Sequence, residues 1–359
     1  MASKLTDKLL KNVKKNGLGN SLKDSEFSKI DYYISMKSVI LNLLFSAKWN
    51  GGIPSGRISM PAGGKSLGKS QIAYDVAKQF QSEGGTIVLF DSEFASEEKA
   101  LTNLGLDVEN IIYFPLTNIH DEDKAMSMTY QLKQLMNDIE RGDKVLLIFD
   151  SMGGWMSQRT INNAEKGNTA KDMSIAQDKK GFLGLINSLI GLKGIPCIVL
   201  NHNYANVGGF GAQTEVSGGG ALFWPSSVVE ITSKAKLKID DIDVGMIGTA
   251  KVYKGRLSRE KSVGKFAMHS EYGFLPFYGL DEYAIEGGYI EETKDGRSTI
   301  YMFKDKDGNE YKCPKKYYMM PEHYLFWGEL FKQTDYGEFL NDVFSYGSNK
   351  KLNSLKLED

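Results

Sequence analysis

The chain has 359 residues, 41% of them hydrophobic and 25% charged, with a formal net charge of −1. That length favours about two domains, no apolar run nears the ~20 residues that span a bilayer, and near-neutrality excludes a uniformly basic nucleic-acid binder. The two cysteines, Cys197 and Cys313, have no metal or disulfide spacing, and Met1–Lys8 lacks the apolar stretch of a signal peptide, so a reducing cytoplasm is expected.

Residues 5–16 read as a basic helix, and residues 1–48 carry nine Lys against four Asp or Glu. A solvated face accounts for that charge as well as an arm does. Residues 30–48 have an apolar helical pattern through Met36, Val39, Ile40, Leu43 and Leu44. The turn cluster 50–56 leads into a short strand at Arg57–Pro61.

Next come Gly63, Gly64, Lys65, Ser66, Leu67, Gly68, Lys69 and Ser70, which fit G-x-x-x-x-G-K-[ST]. Glycines let backbone N–H groups curl round oxyanions. Lys69 would reach the outer phosphates of a nucleoside triphosphate, and Ser70 would offer its hydroxyl to Mg²⁺. A glycine-rich surface turn is the plain alternative. Context argues against it: a strand precedes, and Ile72, Val76, Ala77 and Phe80 follow on one helical face.

Strands and helices then alternate. Apolar strands are expected at 86–91, 111–114, 144–150 and 195–200, with helices at 121–141 and 174–192. Continuous apolar runs between helices mean strands covered on both faces, hence an α/β fold with a mostly parallel sheet. After residue 226 antiparallel strands are expected at 228–232, 249–254 and 265–269. Beyond 279 a small α+β module is expected, with a hairpin turn at Asp307-Gly308-Asn309.

Polar residues gather where the strands end. Asp150 closes an apolar strand, the place of a carboxylate that holds Mg²⁺ through water; a simple turn cap is the alternative. Glu93 follows the strand 86–91 at the carboxyl edge, where open α/β sheets bind ligands. It could deprotonate an attacking water, or be a loop acid. Asn201-His202 ends another strand at that edge, and a polar pair there can sense a terminal phosphate. Two irregular stretches follow, 153–170 and 203–220, longer than ordinary loops. Their Trp155, Arg159, Asn203, Tyr204, Phe210, Gly218 and Gly219 suit stacking and phosphate contact with single-stranded nucleic acid. The segment 249–265 holds Lys251, Lys254, Arg256, Arg259, Lys261 and Lys265 against Glu260 alone.

The ordered set of phosphate loop, Asp91-Ser92-Glu93-Phe94, Val145–Ser151, Ile198–His202 and Gly218–Leu222 resembles the RecA recombinase family, and most closely its bacteriophage UvsX branch. Gly51–Gly56 and Phe326–Lys332 resemble that branch too, so the likeness covers roughly residues 25–345. It implies a RecA-type P-loop core flanked by helices, an N-terminal helical arm and a small C-terminal α+β module. The corresponding boundaries are 1–30, 31–278 and 279–359. It implies ATP and Mg²⁺ as cofactors, helical filaments of the chain on single-stranded DNA, and pairing and strand exchange with homologous duplex DNA. Single-strand-binding and mediator proteins are implied as partners, the host cytoplasm as the location, and no membrane association.

By the same resemblance Lys69 and Ser70 bind ATP and Mg²⁺, Glu93 activates water, and Asp150 assists the metal. His202 would couple the terminal phosphate to the second DNA loop, and Gly218 and Gly219 would lie near DNA phosphate. Lys254 and Arg256 resemble a basic pair that reaches a neighbouring subunit's ATP. The family's adenine-stacking Tyr is matched by Ala100, a departure. A ring helicase on this core, or a non-hydrolysing mediator locked by ATP, would share many of these features.

Overall fold

A computed structural model of the protein describes residues 3–17, 19–165, 174–205 and 214–347. Helix α1 (Lys4–Lys15) starts on Ser3, whose hydroxyl accepts from the Thr6 N–H, and it buries no residue. Two short strands, β1 (Tyr33–Ile34) and β2 (Ile53–Pro54), pair antiparallel around α2 (Val39–Ser46), which is buried throughout. The apolar pattern over 30–48 predicts a longer helix. Asn42 prevents it by clamping both flanks: it accepts from the Met36 N–H at 2.7 Å and donates to the Met36 and Trp49 carbonyls at 3.0 and 3.1 Å. Gly52, with φ of +101°, passes so close that a Cβ would stand 2.2 Å from the Ile34 carbonyl oxygen.

The core then runs β3 (Ile58–Gly63), α3 (Lys69–Ser82), β4 (Thr86–Asp91), α4 (Glu98–Asn103), β5 (Ile111–Phe114), α5 (Met128–Asp138), β6 (Val145–Asp150), α6 (Gln158–Glu165) and α7 (Ile175–Lys193). Strands β7 (Cys197–Val199), β8 (Asn201–Ala205) and β9 (Thr214–Val216) follow, then a 3-10 helix over Gly219–Phe223. Four more strands close the sheet: β10 (Ser227–Ile239), β11 (Ile242–Gly255), β12 (Val263–His269) and β13 (Gly273–Leu275).

These strands form one sheet in the order β13-β12-β11-β10-β3-β7-β6-β4-β5, with β8 pairing both β3 and β9. Pairing is parallel from β10 through β5 and antiparallel from β10 to β13. The helix expected at 121–141 begins only at Met128. Asp121 and Asp123 turn their side chains onto the N–H groups of Asp123 and Ala125, a local bond that competes with helix, and Ser127 caps the start. The β10–β11 hairpin extends well past the expected 228–232 and 249–254, to a tip at Asp240-Asp241, both with positive φ.

Apolar side chains fill both faces of the sheet. On one, α2 and α3 share a continuous core with Trp327, Leu330, Tyr336 and Phe344 of the C-terminal region. On the other, Leu132 and Met136 of α5 meet Phe182, Ile186 and Ile190 of α7. The C-terminal region comprises α8 (Asp281–Glu286), the antiparallel strands β14 (Glu291–Asp295), β15 (Ser298–Lys304) and β16 (Glu310–Pro314), then α9 (Tyr324–Gln333) and α10 (Tyr336–Phe344). Asp305 shapes the β15–β16 turn by accepting from the Asp307 and Asn309 N–H groups at 2.9 Å. Asp240, at the β10–β11 tip, accepts from Lys316 and Tyr317 and so ties that hairpin to this region.

Candidate functional site

The loop between β3 and α3 is where the sequence places a phosphate cradle. Gly63, at φ +146°, leaves no room for a side chain: a Cβ would lie 2.7 Å from the Ile231 carbonyl oxygen. Gly68, at φ +98°, caps α3, and Ser66 also has positive φ. Lys69 is buried and folds back to donate to the Gly63 and Gly64 carbonyls at 3.1 and 2.8 Å. Burial lowers its pKa, and the charges of Glu93 and Asp150 oppose that shift. A cation held by exchangeable carbonyl bonds of a glycine-rich loop is ready to turn to an oxyanion.

Sheet register brings the carboxylates alongside. Asp150 of β6 pairs with Asp91 of β4, while Gly63 of β3 pairs with His202 of β8. Ser70 Oγ donates to Asp150 Oδ2 at 3.0 Å. Burial pushes the Asp150 carboxyl up to about 6 against that hydrogen bond, with Glu93 and Asp91 adding to the rise. Among the described residues no group of three or more His, Cys, Asp or Glu could cage a metal. Ser70 with Asp150 is instead a donor pair of the kind Mg²⁺ takes when phosphate oxygens and water complete its shell. The cradle, Lys69 and this pair therefore fit a magnesium nucleotide.

Glu93 stands beside them. Its Oε1 accepts from Ser151 Oγ and lies 2.7 Å from His202 Nε2. Burial is the largest influence on it and acts upward. The bonds from Ser151 and His202, then the charges of His202 and Lys69, together hold it below its ordinary value. Gly153 is the space that admits the imidazole, for a Cβ there would meet His202 Cδ2 at 2.7 Å. Asp91 shapes the loop that carries Glu93 by accepting from the Glu93 and Ser96 N–H groups and the Tyr113 hydroxyl. Sequence reasoning missed Ser151, Gly153 and the shaping role of Asp91. Asp91 and Ser151 stood in the motifs Asp91–Phe94 and Val145–Ser151 without a role of their own.

The predicted nucleic-acid residues divide. Gly218 and Gly219 have φ of +116° and +46°, with open space beside Gly219. Arg159 is exposed on α6. Asn203 donates to Glu230 Oε1 at 2.5 Å. Tyr204 lies in β8, opposite Glu215, and Phe210 falls outside the described residues. Trp155 requires correction as an exposed stacking residue. It is 3% exposed and packs edge-on against Phe149 and Phe182, at ring distances of 5.8 and 5.1 Å. The loop turns inward there because the space between β6 and α7 takes a large ring. Asn201, read before only with His202, ties β8 to the second loop: it donates to the Ser217 carbonyl at 2.7 Å and accepts from Ser217 Oγ at 2.6 Å.

Lys254 and Arg256 lie at the opposite edge of the sheet. Lys254 pairs with Val228, which pairs with Met60, and the Arg256 N–H donates to Ser226, whose own N–H reaches Ile58. Met60 is three residues and Ile58 five residues before Gly63 in β3, so Lys254 lies about 10 Å and Arg256 about 16 Å along the strand direction from the phosphate loop at strand spacing. Ala100 is exposed on α4.

A phosphate loop after a central parallel strand, with a carboxylate at the end of a nearby strand, defines a P-loop nucleotide-binding protein. Known proteins narrow this. The profile described as RecA N-terminal domain matches residues 4–273. The chain is 26% identical over 349 residues to "Recombination and repair protein" of Enterobacteria phage T4, covering 96% of this chain and 87% of that one. It is 26% identical over 313 residues to "Protein RecA" of Campylobacter hominis, covering 84% and 83%. Against "DNA repair protein recA homolog 3, mitochondrial" of Arabidopsis thaliana it is 25% identical over 272 residues, covering 74% and 60%. The chain belongs to the RecA family, near its phage UvsX branch.

Proposed function

We propose that the protein is a recombination and repair ATPase that assembles as a helical filament on single-stranded DNA and pairs it with homologous duplex. The observation that carries this is the division of charge between the two sheet edges. One edge holds Lys69, Ser70, Asp150 and Glu93; the other holds Lys254 and Arg256. The basic pair stands two strands over from β3 and about 10–16 Å from its carboxyl end, with Lys254 turned to the carbonyls of Leu222, Phe223 and Pro225 and away from its own phosphate loop. It suits the loop of a protomer stacked head to tail, a contact that gives a helix when it does not close.

In this reading the cradle and Lys69 bind and orient the triphosphate, with Ser70 and Asp150 holding Mg²⁺. The metal would neutralise charge on the phosphate oxygens. Glu93 takes the proton of the attacking water. Ser151 and His202 both meet Glu93 Oε1, which orients the carboxylate and ties it to the strand that carries His202. Asn201 joins the His202 strand to Ser217, one residue before Gly218, which gives a route from nucleotide to strand. Single-strand-binding and mediator proteins are expected partners and the host cytoplasm the location. Among the described residues no helix is long and apolar enough to cross a membrane.

The test is ATP hydrolysis with and without single-stranded DNA across salt. Strand should raise turnover, and its affinity should fall steeply with salt as counterions are released. Lys69→Ala should abolish turnover. Hydrolysis indifferent to strand would overturn the reading. Micrographs with a non-hydrolysable ATP analogue should show helices, and closed rings would favour a helicase.

A further inference from the structure

The segment Gly218–Ser226 runs from one edge of the sheet to the other. At its start, a Cβ on Gly218 would meet Met152 Cε at 2.8 Å, and the Met152 N–H donates to Leu200, between β7 and β8. Its helical stretch follows α7: a Cβ on Gly220 would lie 3.6 Å from Lys180 Cδ, and one on Gly184 would lie 2.9 Å from the Trp224 ring. At its finish Ser226 donates to Ile58, the first residue of β3. It is a short rod, about 10 Å of 3-10 helix, between the glycines assigned to strand contact and the edge that carries Lys254 and Arg256.

The far end of this rod grips both cations. Lys254 Nζ donates to the carbonyls of Leu222, Phe223 and Pro225 at 2.8, 2.7 and 2.8 Å. Arg256 donates to the Phe223 carbonyl at 3.0 Å. Both also lie over the face of the Phe223 ring, at 5.8 and 5.7 Å from its centre. That ring is 62% exposed, so core packing does not account for its place. It stands edge-on to Trp224 at 5.3 Å. Two cations close enough to repel need a common acceptor. A ring face and a carbonyl on one residue provide it.

We propose that Phe223 is a positioning residue for Lys254 and Arg256. Its ring and carbonyl fix the two cations to the rod that begins at the strand-contacting glycines. Engagement of the strand then sets where the cations point toward the neighbouring protomer's triphosphate. The inference rests on the functional reading above and adds the side chain through which strand and cations communicate.

The test uses the full chain with Phe223→Leu, which removes the π face and keeps an apolar side chain, and Phe223→Tyr, which keeps the face. For Phe223→Leu, kcat of strand-stimulated hydrolysis should fall about tenfold. KM for ATP, oligonucleotide affinity with a non-hydrolysable analogue and melting temperature should stay close to wild type. Phe223→Tyr should recover at least half of kcat. Phe223→Leu and Lys254→Ala together should cost less than the product of the two single losses, because Lys254 is one of the two cations that Phe223 fixes.

Full kcat in Phe223→Leu, failure of Phe223→Tyr to recover, or additive losses in the double variant would overturn the proposal. Loss of oligonucleotide binding would make Phe223 a strand contact instead, and a large fall in melting temperature would make it structural. If the wild type shows no stimulation, the functional reading falls and this inference with it. A responsive wild type with an equally responsive Phe223→Leu sinks the inference alone.

Discussion

Ser70 Oγ donates to Asp150 Oδ2 at 3.0 Å, joining the first turn of α3 to the end of β6. Both are oxygen ligands suited to Mg²⁺, and each depends on the other for its orientation. Asp150→Asn should leave the fold intact and weaken the apparent Mg²⁺ affinity of nucleotide binding by ~10–100-fold. A Mg²⁺ titration of ATP-analogue binding reads this directly; an unchanged midpoint would make Asp150 a turn cap.

Glu93 is held by Ser151 and His202. If it is the general base, Glu93→Gln should bind nucleotide normally and hydrolyse it ~10²–10⁴-fold more slowly. Ser151→Ala removes one of the two partners of Oε1 and keeps the carboxylate, so its effect on kcat should be far smaller. Equal losses in both variants would mean that the network, and not the proton acceptor, is what matters.

Lys254 is brought down to about 8, by burial first and by Arg256 second. A lysine so lowered is charged below that pH and loses its proton as pH rises through it. Strand-stimulated hydrolysis should therefore decline between about pH 7.5 and 9. Lys254→Arg keeps its charge throughout that range, so its profile should stay flat there. Parallel profiles for the two proteins would remove Lys254 from the reaction.

Trp155 and Arg159 lie four residues apart and should behave oppositely. Trp155→Ala opens a cavity against Phe149 and Phe182, with a loss of ~3–5 kcal/mol on denaturant unfolding. Arg159→Ala, at an exposed position, should leave stability alone and reduce the salt slope of oligonucleotide binding by about 1.

The sheet was legible because its strands are unbroken apolar runs such as Val145–Phe149, and the phosphate loop because its chemistry forces a fixed spacing. Helix ends were less legible. Nothing in the apolar period shows that Asn42 will clamp both flanks of α2, or that Asp121 and Asp123 will hold the chain out of helix ahead of Met128. Trp155 misled because an aromatic in a polar, glycine-rich stretch gives no sign of which way it turns. Ser151 and Gly153 escaped notice because holding a carboxylate, or leaving space for an imidazole, requires partners distant in sequence. The separation of Lys254 and Arg256 from the phosphate loop follows from strand register, which a linear pattern does not carry.

That separation has a consequence for any stack in which the basic edge of one protomer completes the phosphate edge of the next. Its two ends are chemically unlike: one terminal subunit presents an unattended triphosphate, the other a pair of idle cations. Such a stack has one fewer competent centre than it has subunits, so short stacks should turn over less ATP per subunit than long ones, and growth at the two tips should proceed at different speeds.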